Sequence, residues 1–414
     1  MIKIEEIKIK GYKNIECAEL KLGNFNVIIG ANNSGKSNFI QTISFLNYII
    51  NSSLDDVQKS FLKGFATTYF KEIIPIINGI KVKDIKDLKR DGNIEFELTF
   101  SNSITNRIFI YFLELEWSSD IFKHEYKIKN ERLDVKEPNK PGPSTNIFNR
   151  VFEIVKYGTE FSKMDVIEKI PNHFSVIRVL KIIAEVKEDY KDAIDSLNEI
   201  IKTPIFYFSH IELLKTDKDR INAFNGRIVS FEMEQEIIAL EESKKWDIFK
   251  EAVNDILNIE DANVYRYGTD PKNDKIPLTK SLLFTHHGKF KTLNQFSDGT
   301  ILIIALITKI LSSQNQLFLI EEPENSTHPK ALVDLISFIK SFSENSQFII
   351  TSHSIAILNK TRIEDIIASS VNDNGYCDLY NISSKKELKN KLKKSRVNFS
   401  DELFFTIDDK NEFE

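Results

Sequence analysis

The segment from Gly30 to Ser37, GANNSGKS, has the residue types and spacing of a phosphate-binding loop. It fits the pattern GxxxxGK[ST], in which backbone N–H groups of a glycine-rich bend surround one anion and the next helix presents the positive end of its dipole. In this pattern Lys36 reaches the β- and γ-phosphates and the Ser37 hydroxyl binds Mg²⁺. We therefore predict that the chain binds a nucleoside triphosphate. The predicted contacts are Gly30, Ala31, Asn32, Asn33, Ser34, Gly35, Lys36, Ser37 and Asn38.

Two acidic residues, Glu321 and Glu322, directly follow the apolar run 316–320. Carboxylates at the end of a buried strand suit Mg²⁺-nucleotide chemistry, because one lies near the metal and the next orients and deprotonates the attacking water. We predict Glu321 in the metal shell, through water, and Glu322 as the general base. The alternative is a charged strand end without function, which the neighbouring motif disfavours.

Two shorter motifs complete the set of candidate residues. Ser297, Asp298 and Gly299 precede a helical pattern and offer a hydroxyl, a flexible backbone and a helix N-terminus. An ordinary N-cap is the alternative for this segment. His353 follows another apolar run, as a side chain that touches a γ-phosphate would, and we predict a catalytic role for it beside Lys36 and Glu322. A structural histidine is the alternative.

The apolar and polar periodicities predict the elements that hold these motifs. A strand at 25–29 and a helix at 38–50 flank the loop, and runs at 93–101, 107–117 and 123–135 predict an antiparallel meander. After a proline-rich break at 138–143 the pattern is mostly helical to 275, around a short strand at 204–209. Strands at 281–286, 316–320 and 346–351 then alternate with helices at 300–311 and 329–342, which implies a parallel sheet.

These patterns divide the chain into three predicted parts. They are an ATPase lobe at 1–137, a mostly helical insertion or arm at 138–275 and a second ATPase lobe at 276–414. With 414 residues, 41% hydrophobic and 28% charged, the chain has the composition of an ordinary soluble protein. Its net charge of −5 restricts nucleic-acid binding to local patches.

Compartment and membrane contact are predicted from what the sequence does not contain. It has no apolar run of about 20 residues and no signal-peptide pattern. Two distant cysteines, Cys17 and Cys377, predict a reduced, cytoplasmic protein without structural zinc.

The order of the motifs resembles that of ABC-type ATPase heads, specifically the branch that contains RecF, SMC and the overcoming-lysogenization-defect (OLD) ATPases. Four segments of the chain are similar to motifs of standalone AAA ATPases of the OLD-like group: GANNSGKSN, FSDGT, EEPENSTHP and TSHS. The resemblance covers 1–50 and 280–370. It implies an α/β P-loop fold of ABC-ATPase type, with a mixed sheet, an antiparallel subdomain and a helical insertion, and it implies ATP and Mg²⁺ as cofactors.

The resemblance also implies a homodimer or a higher homo-oligomer. Two heads would assemble head to tail, with each ATP between the P-loop of one protomer and the segment Ser297–Gly299 of the other. Lys13 falls where related heads place a basic residue near the nucleotide, and a surface lysine is the alternative. Residues 325–329 would signal across the dimer, with His328 as a polar contact.

The chain departs from the family pattern in several places. Most ABC heads have an aspartate where Glu321 stands, and Gln58 is the single glutamine between 51 and 100, where a Q-loop is expected. OLD nucleases continue into a Toprim domain, whereas only about 60 residues follow His353 here, so we expect no intrinsic nuclease activity. The basic run 385–396 suits either phosphate contacts or a solvated helix face.

We predict an ATP-driven switch that controls a separate effector, a nuclease or a toxin, in bacterial anti-phage defence. DNA or a phage-derived molecule would be the trigger. The alternative is a RecF-like, DNA-binding ATPase of repair. A scaffold that holds ATP without turnover is disfavoured by Glu322 and His353, and a transporter subunit by the absence of Leu-Ser-Gly-Gly-Gln at Ser297.

Overall fold

The computed structural model describes residues 1–51, 90–120, 123–137, 142–158, 168–182, 188–208, 231–268, 279–313, 316–372 and 375–384. The strands are β1 (Ile2–Tyr12), β2 (Ile15–Lys21), β3 (Phe25–Ile29), β4 (Arg90–Asn102), β5 (Arg107–Asp120), β6 (Lys123–Lys136), β7 (Thr145–Val151), β8 (Ile154–Tyr157), β9 (Ile205–Tyr207), β10 (Asp261–Tyr267), β11 (Thr279–His286), β12 (Lys289–Lys291), β13 (Leu317–Glu321), β14 (Gln347–Ser352), β15 (Ile366–Val371) and β16 (Cys377–Asn381). The helices are α1 (Lys36–Asn51), α2 (Val176–Ile182), α3 (Glu188–Ile201), α4 (Phe231–Glu241), α5 (Trp246–Leu257), α6 (Asp298–Ser312), α7 (Pro329–Ser341) and α8 (Ile355–Leu358).

One large mixed sheet organises the described residues. Its strand order is β8-β7-β6-β5-β4-β1-β2-β16-β15-β3-β14-β13-β9. From β15 to β9 neighbouring strands are parallel, whereas β4 to β8 and β1 pair antiparallel. Every residue of β3, β13 and β14 is buried, as expected for parallel strands covered on both faces. The predicted α/β fold class, with its mixed sheet and antiparallel subdomain, is confirmed.

The parallel strands bring the separate sequence motifs to one edge. Strand β14 lies between β3 and β13, with Ser352 opposite Ile29 and Thr351 opposite Glu321. Because parallel strands end at the same side of a sheet, the phosphate loop, the acidic pair and His353 all leave the sheet there.

Helices cover the two faces of the parallel region. Helix α1 contributes Phe39, Ile43, Leu46 and Ile50 to a core shared with the antiparallel strands. The almost wholly apolar α6 packs with α5 and α7 in the core on the other side of the sheet. No helix among the described residues is both long enough and apolar enough to cross a membrane.

One prediction about secondary structure needs correction. The strand predicted at 281–286 belongs to β11, which is not in the parallel sheet. It pairs antiparallel with β10 and β12 in a separate sheet, because the turn at His287 and Gly288, both with positive φ, folds β12 back onto it.

Among its described residues, the segment 138–275 contains strands as well as helices. It supplies β7 and β8 to the meander, β9 to the edge of the parallel region and β10 to the small sheet. Helices α2, α3, α4 and α5 also lie within this segment. The three-part division of the chain stays a prediction, and Gln58 and the basic run 385–396 lie outside the described residues.

A buried ion pair joins the meander to the chain after it. Glu131 and Arg150 are both fully buried, with Arg150 Nη1 3.6 Å from Glu131 Oε2. Glu131 also accepts hydrogen bonds from Tyr111 Oη at 3.0 Å, Ser175 Oγ at 2.6 Å and the Val176 N–H at 2.8 Å. Since Val176 begins α2, this network fixes the start of that helix against β6.

Candidate nucleotide-binding site

The phosphate loop joins the end of β3 to the start of α1, as its sequence predicts. Gly35 has φ of 100°, a conformation that favours glycine, and a Cβ on Gly35 would lie 2.4 Å from Cys377 Sγ. A Cβ on Gly30 would lie 2.0 Å from the carbonyl oxygen of Ser369. The loop therefore rests directly on β15 and β16, and both glycines are needed for that close approach.

Lys36 lies inside the bend of the loop. Its ammonium donates hydrogen bonds to the carbonyl oxygens of Gly30 at 2.9 Å and Ala31 at 2.8 Å. Burial lowers the pKa of Lys36. The carboxylates of Glu322, Glu324 and Glu321, in that order of strength, act against this lowering of the pKa. The lysine therefore faces three acidic groups across the site.

An open cleft of about 990 Å³ runs along the loop. It is lined by Lys13, Asn14, Asn32, Asn33, Ser34, Gly35, Lys36, Ser37, Asn38, Gln41, Glu322, Asn325 and His353. The structure thus brings most predicted loop contacts together with Lys13, Glu322 and His353. Glu321, at the end of β13, is not one of these lining residues and is only 8% exposed.

Glu322 stands at a sharp turn where β13 ends. Its φ of 46° and ψ of 60° place it in the left-handed region, directly before the 3₁₀ turn Pro323–Ser326. Its N–H donates to the carbonyl oxygen of Thr351 at 3.0 Å, and its Oε2 accepts from Asn325 Nδ2 at 2.7 Å. The carboxylate is therefore presented to the cleft with one side-chain amide holding it.

Glu324 connects this turn to the end of β14. Its Oε1 accepts hydrogen bonds from Ser352 Oγ at 2.8 Å and from the His353 N–H at 2.6 Å. His353 Nδ1 lies 3.1 Å from the same oxygen and 3.8 Å from Glu322 Oε1. Glu324 was not predicted as a site residue, although the third carboxylate of Glu-Glu-Pro-Glu is a visible signal in the sequence.

Lys13 reaches the cleft from the tight turn between β1 and β2, where its φ is 51°. Its ammonium donates to Gln41 Oε1, on α1, at 2.6 Å. Beside it Asn14 Oδ1 accepts from Asn38 Nδ2 at 2.6 Å. Gln41 and Asn14 line the cleft and were not predicted. Gln41 carries no motif signal, whereas Asn14 adjoins the predicted lysine.

The segment Ser297–Gly299 lies outside the cleft. Ser297 caps α6, with Oγ 2.9 Å from Thr300 Oγ1 and accepting from the Thr300 N–H at 3.4 Å. A Cβ on Gly299 would lie 1.8 Å from the Ser326 carbonyl oxygen, so this segment packs closely on the turn after Glu322. His328 caps its own helix, α7, because its Nδ1 accepts from the Lys330 N–H at 3.3 Å.

The family described as "AAA domain, putative AbiEii toxin, Type IV TA system" matches residues 25–359, a span that contains both the phosphate loop and His353. No curated protein matches the chain.

Among solved structures, the SMC head domain from Thermotoga maritima is similar at 13% identity, covering 92% of this chain and 98% of that one, with a TM-score of 0.44. The Smc head with an extended coiled coil, bound to the C-terminal domain of ScpA derived from Pyrococcus furiosus, is 14% identical over 95% of this chain and 100% of that one, with a TM-score of 0.46. The residues matched by the family profile make up most of the chain, and the chain belongs to this AAA-domain family.

Proposed function

We propose that this protein is a Mg²⁺-dependent ATPase that works as a molecular switch. The observation that carries the proposal is the single cleft lined by Lys36, Ser37, Glu322 and His353. These residues come from three distant parts of the sequence. A site of this composition combines phosphate binding, a hydroxyl for metal coordination and a carboxylate for water activation.

The available oxygen donors fit Mg²⁺. Ser37 offers a hydroxyl and Glu321 a carboxylate, and Mg²⁺ binds through one or two such protein oxygens while keeping several waters. When bound, the ion neutralises charge on the phosphates. Glu321, which does not line the cleft and is only 8% exposed, would act through water.

The chain's own groups then have separate tasks. Backbone N–H groups of the loop bind the phosphates, and the Lys36 ammonium exchanges its two loop carbonyls for phosphate oxygens. Glu322 accepts a proton from the attacking water. His353 contacts the γ-phosphate, and Lys13 and Gln41 hold the nucleotide at the other side of the cleft.

Assembly completes the site. Ser297, Asp298 and Gly299 lie outside the cleft of their own chain, and the resemblance to ABC-type heads supports a head-to-tail homodimer in which they cap the partner's ATP. Closure of that dimer controls a separate effector, a nuclease or toxin, in the cytoplasm. The family description, which names a toxin of a toxin–antitoxin system, supports a role in defence.

The test measures ATP hydrolysis against protein concentration, with mass photometry on the same samples. We compare the wild type, Glu322→Gln and the exposed Glu344→Gln as a matched control. We expect activity that rises more than linearly with concentration, is lost only in Glu322→Gln and leaves that variant trapped as an ATP-bound oligomer. Linear activity of a monomer, or none with ATP and Mg²⁺ present, would refute the proposal.

A further inference from the structure

We infer that Glu324 is a positioning residue for ATP hydrolysis: it holds His353 at the end of β14 and keeps that histidine from pairing with Glu322. This inference rests on the proposed function. It assigns different tasks to two glutamates that stand two positions apart in Glu-Glu-Pro-Glu.

The contacts of Glu324 converge on one atom. The Ser352 hydroxyl and the His353 N–H both donate to Oε1, and His353 Nδ1 lies 3.1 Å from it. The Glu324 side chain is only 9% exposed, whereas the His353 side chain is 38% exposed. One carboxylate oxygen therefore holds the backbone at residue 353 by a hydrogen bond and lies beside the ring nitrogen without a hydrogen bond to it.

The charge of Glu324 also selects a tautomer of the neutral ring. An Nδ1 without a proton would set its lone pair 3.1 Å from a carboxylate oxygen, which is unfavourable, so we assign the proton to Nδ1. Nε2, on the far side of the ring, is then the nitrogen free for the nucleotide. His353 lines the cleft, where that nitrogen is needed.

Two carboxylates compete for the same ring nitrogen. Glu324 Oε1 is 3.1 Å from Nδ1 and Glu322 Oε1 is 3.8 Å from it. Without a negative charge on Glu324, Glu322 becomes the nearest carboxylate and attracts the ring. A general base that is paired with His353 is turned away from the attacking water, so turnover falls although the phosphate loop is unchanged.

The variants separate this role from simple folding. Glu324→Gln keeps an oxygen that accepts from the Ser352 hydroxyl and the His353 N–H, but it removes the charge. Glu324→Asp keeps the charge on a shorter side chain and serves as the conservative rescue. Glu344→Gln removes an exposed carboxylate in the turn after α7 and is the control.

Two properties are measured on each variant: the rate of steady-state ATP hydrolysis and the ¹⁵N NMR spectrum of the histidine rings. The chain has seven histidines, and the signal of His353 is identified as the one that is lost in His353→Gln. We expect Glu324→Gln to lower kcat about 10- to 100-fold with little change in KM, since it misplaces a group that acts in the transition state. We expect its His353 spectrum to lose the Nδ1–H pattern of the wild type. Glu324→Asp should recover part of both.

An unchanged kcat in Glu324→Gln, or a reduced kcat with an unchanged His353 spectrum, would overturn the inference. Failure of the proposed ATPase function would give a different result from failure of the positioning role of Glu324. If the wild type does not hydrolyse ATP, the proposed function is wrong, and unchanged spectra in Glu324→Gln then overturn the positioning role as well.

Discussion

Gly299→Ala tests whether the start of α6 and the turn that carries the general base act as one unit. The new Cβ would lie 1.8 Å from the Ser326 carbonyl oxygen, whereas real Cβ atoms essentially never approach a heavy atom closer than 3.0 Å. The two segments must therefore separate by about 1.2 Å or more. Ser326 is restrained against this movement, because its Oγ donates a hydrogen bond to the Phe208 carbonyl oxygen at 2.6 Å.

The displacement is transmitted directly to the catalytic turn. Asn325 precedes Ser326 and donates to Glu322 Oε2 at 2.7 Å. A misplacement of about 1 Å at a reacting group costs about 100-fold in rate, so we expect kcat to fall by about that factor. The free energy of unfolding should fall by only about 1–3 kcal/mol, as is usual for overpacking.

The assay combines ATP turnover, binding of a fluorescent ATP analogue and thermal unfolding. Binding should persist, since the phosphate loop is untouched. Gly23→Ala is the matched control, because the nearest atoms to its Cβ would lie at 3.8 Å and its φ is not positive. A folded Gly299→Ala protein with wild-type kcat would refute the coupling between α6 and the turn at Glu322.

Three further predictions follow from buried charged or titratable groups. Glu131→Gln leaves the fully buried Arg150 without its counter-charge, and urea titration should give a loss of about 3–5 kcal/mol in the free energy of unfolding; a loss below 1 kcal/mol would contradict this. Lys36→Met should abolish binding of a fluorescent ATP analogue while the far-UV circular dichroism spectrum is unchanged, and retained binding would exclude Lys36 as a phosphate contact. Burial raises the pKa of Cys377 from 9.0 to about 11, so iodoacetamide at pH 8 should label the exposed Cys17 and spare Cys377. The pKa of Cys377 is higher in the folded protein than in the unfolded chain. The contribution of this thiol to the free energy of unfolding is therefore present below pH 9 and is lost as the pH rises towards 11. Denaturant titrations across that pH range would detect the loss.

The phosphate loop could be predicted from the sequence because the residues that determine its conformation are close together in the chain. The strand at Phe25–Ile29 was predicted with the bounds that the structure has, and the helix after the loop begins at Lys36. Apolar runs, glycine spacing and helical periodicity all act over a few residues, so one stretch of sequence suffices. The same reasoning located Glu322 and His353, since each follows a buried strand.

Other features depend on which strands become neighbours, and periodicity carries no such information. From its sequence pattern, β11 was predicted to join the parallel sheet. The turn that follows β11 instead pairs it with β12 in a separate antiparallel sheet. Likewise, the contact between Lys13 and Gln41 joins a hairpin turn to a helix, and the approach of Gly35 to Cys377 spans most of the chain.

The sequence by itself therefore determined the residue types of the site and the local backbone that presents them. The tertiary structure decided which of those residues share a cleft, and it showed that Glu324 rather than Glu322 lies closest to His353. The reason is physical: a local pattern specifies which face of an element is buried, whereas a side-chain contact between distant residues depends on strand order and register.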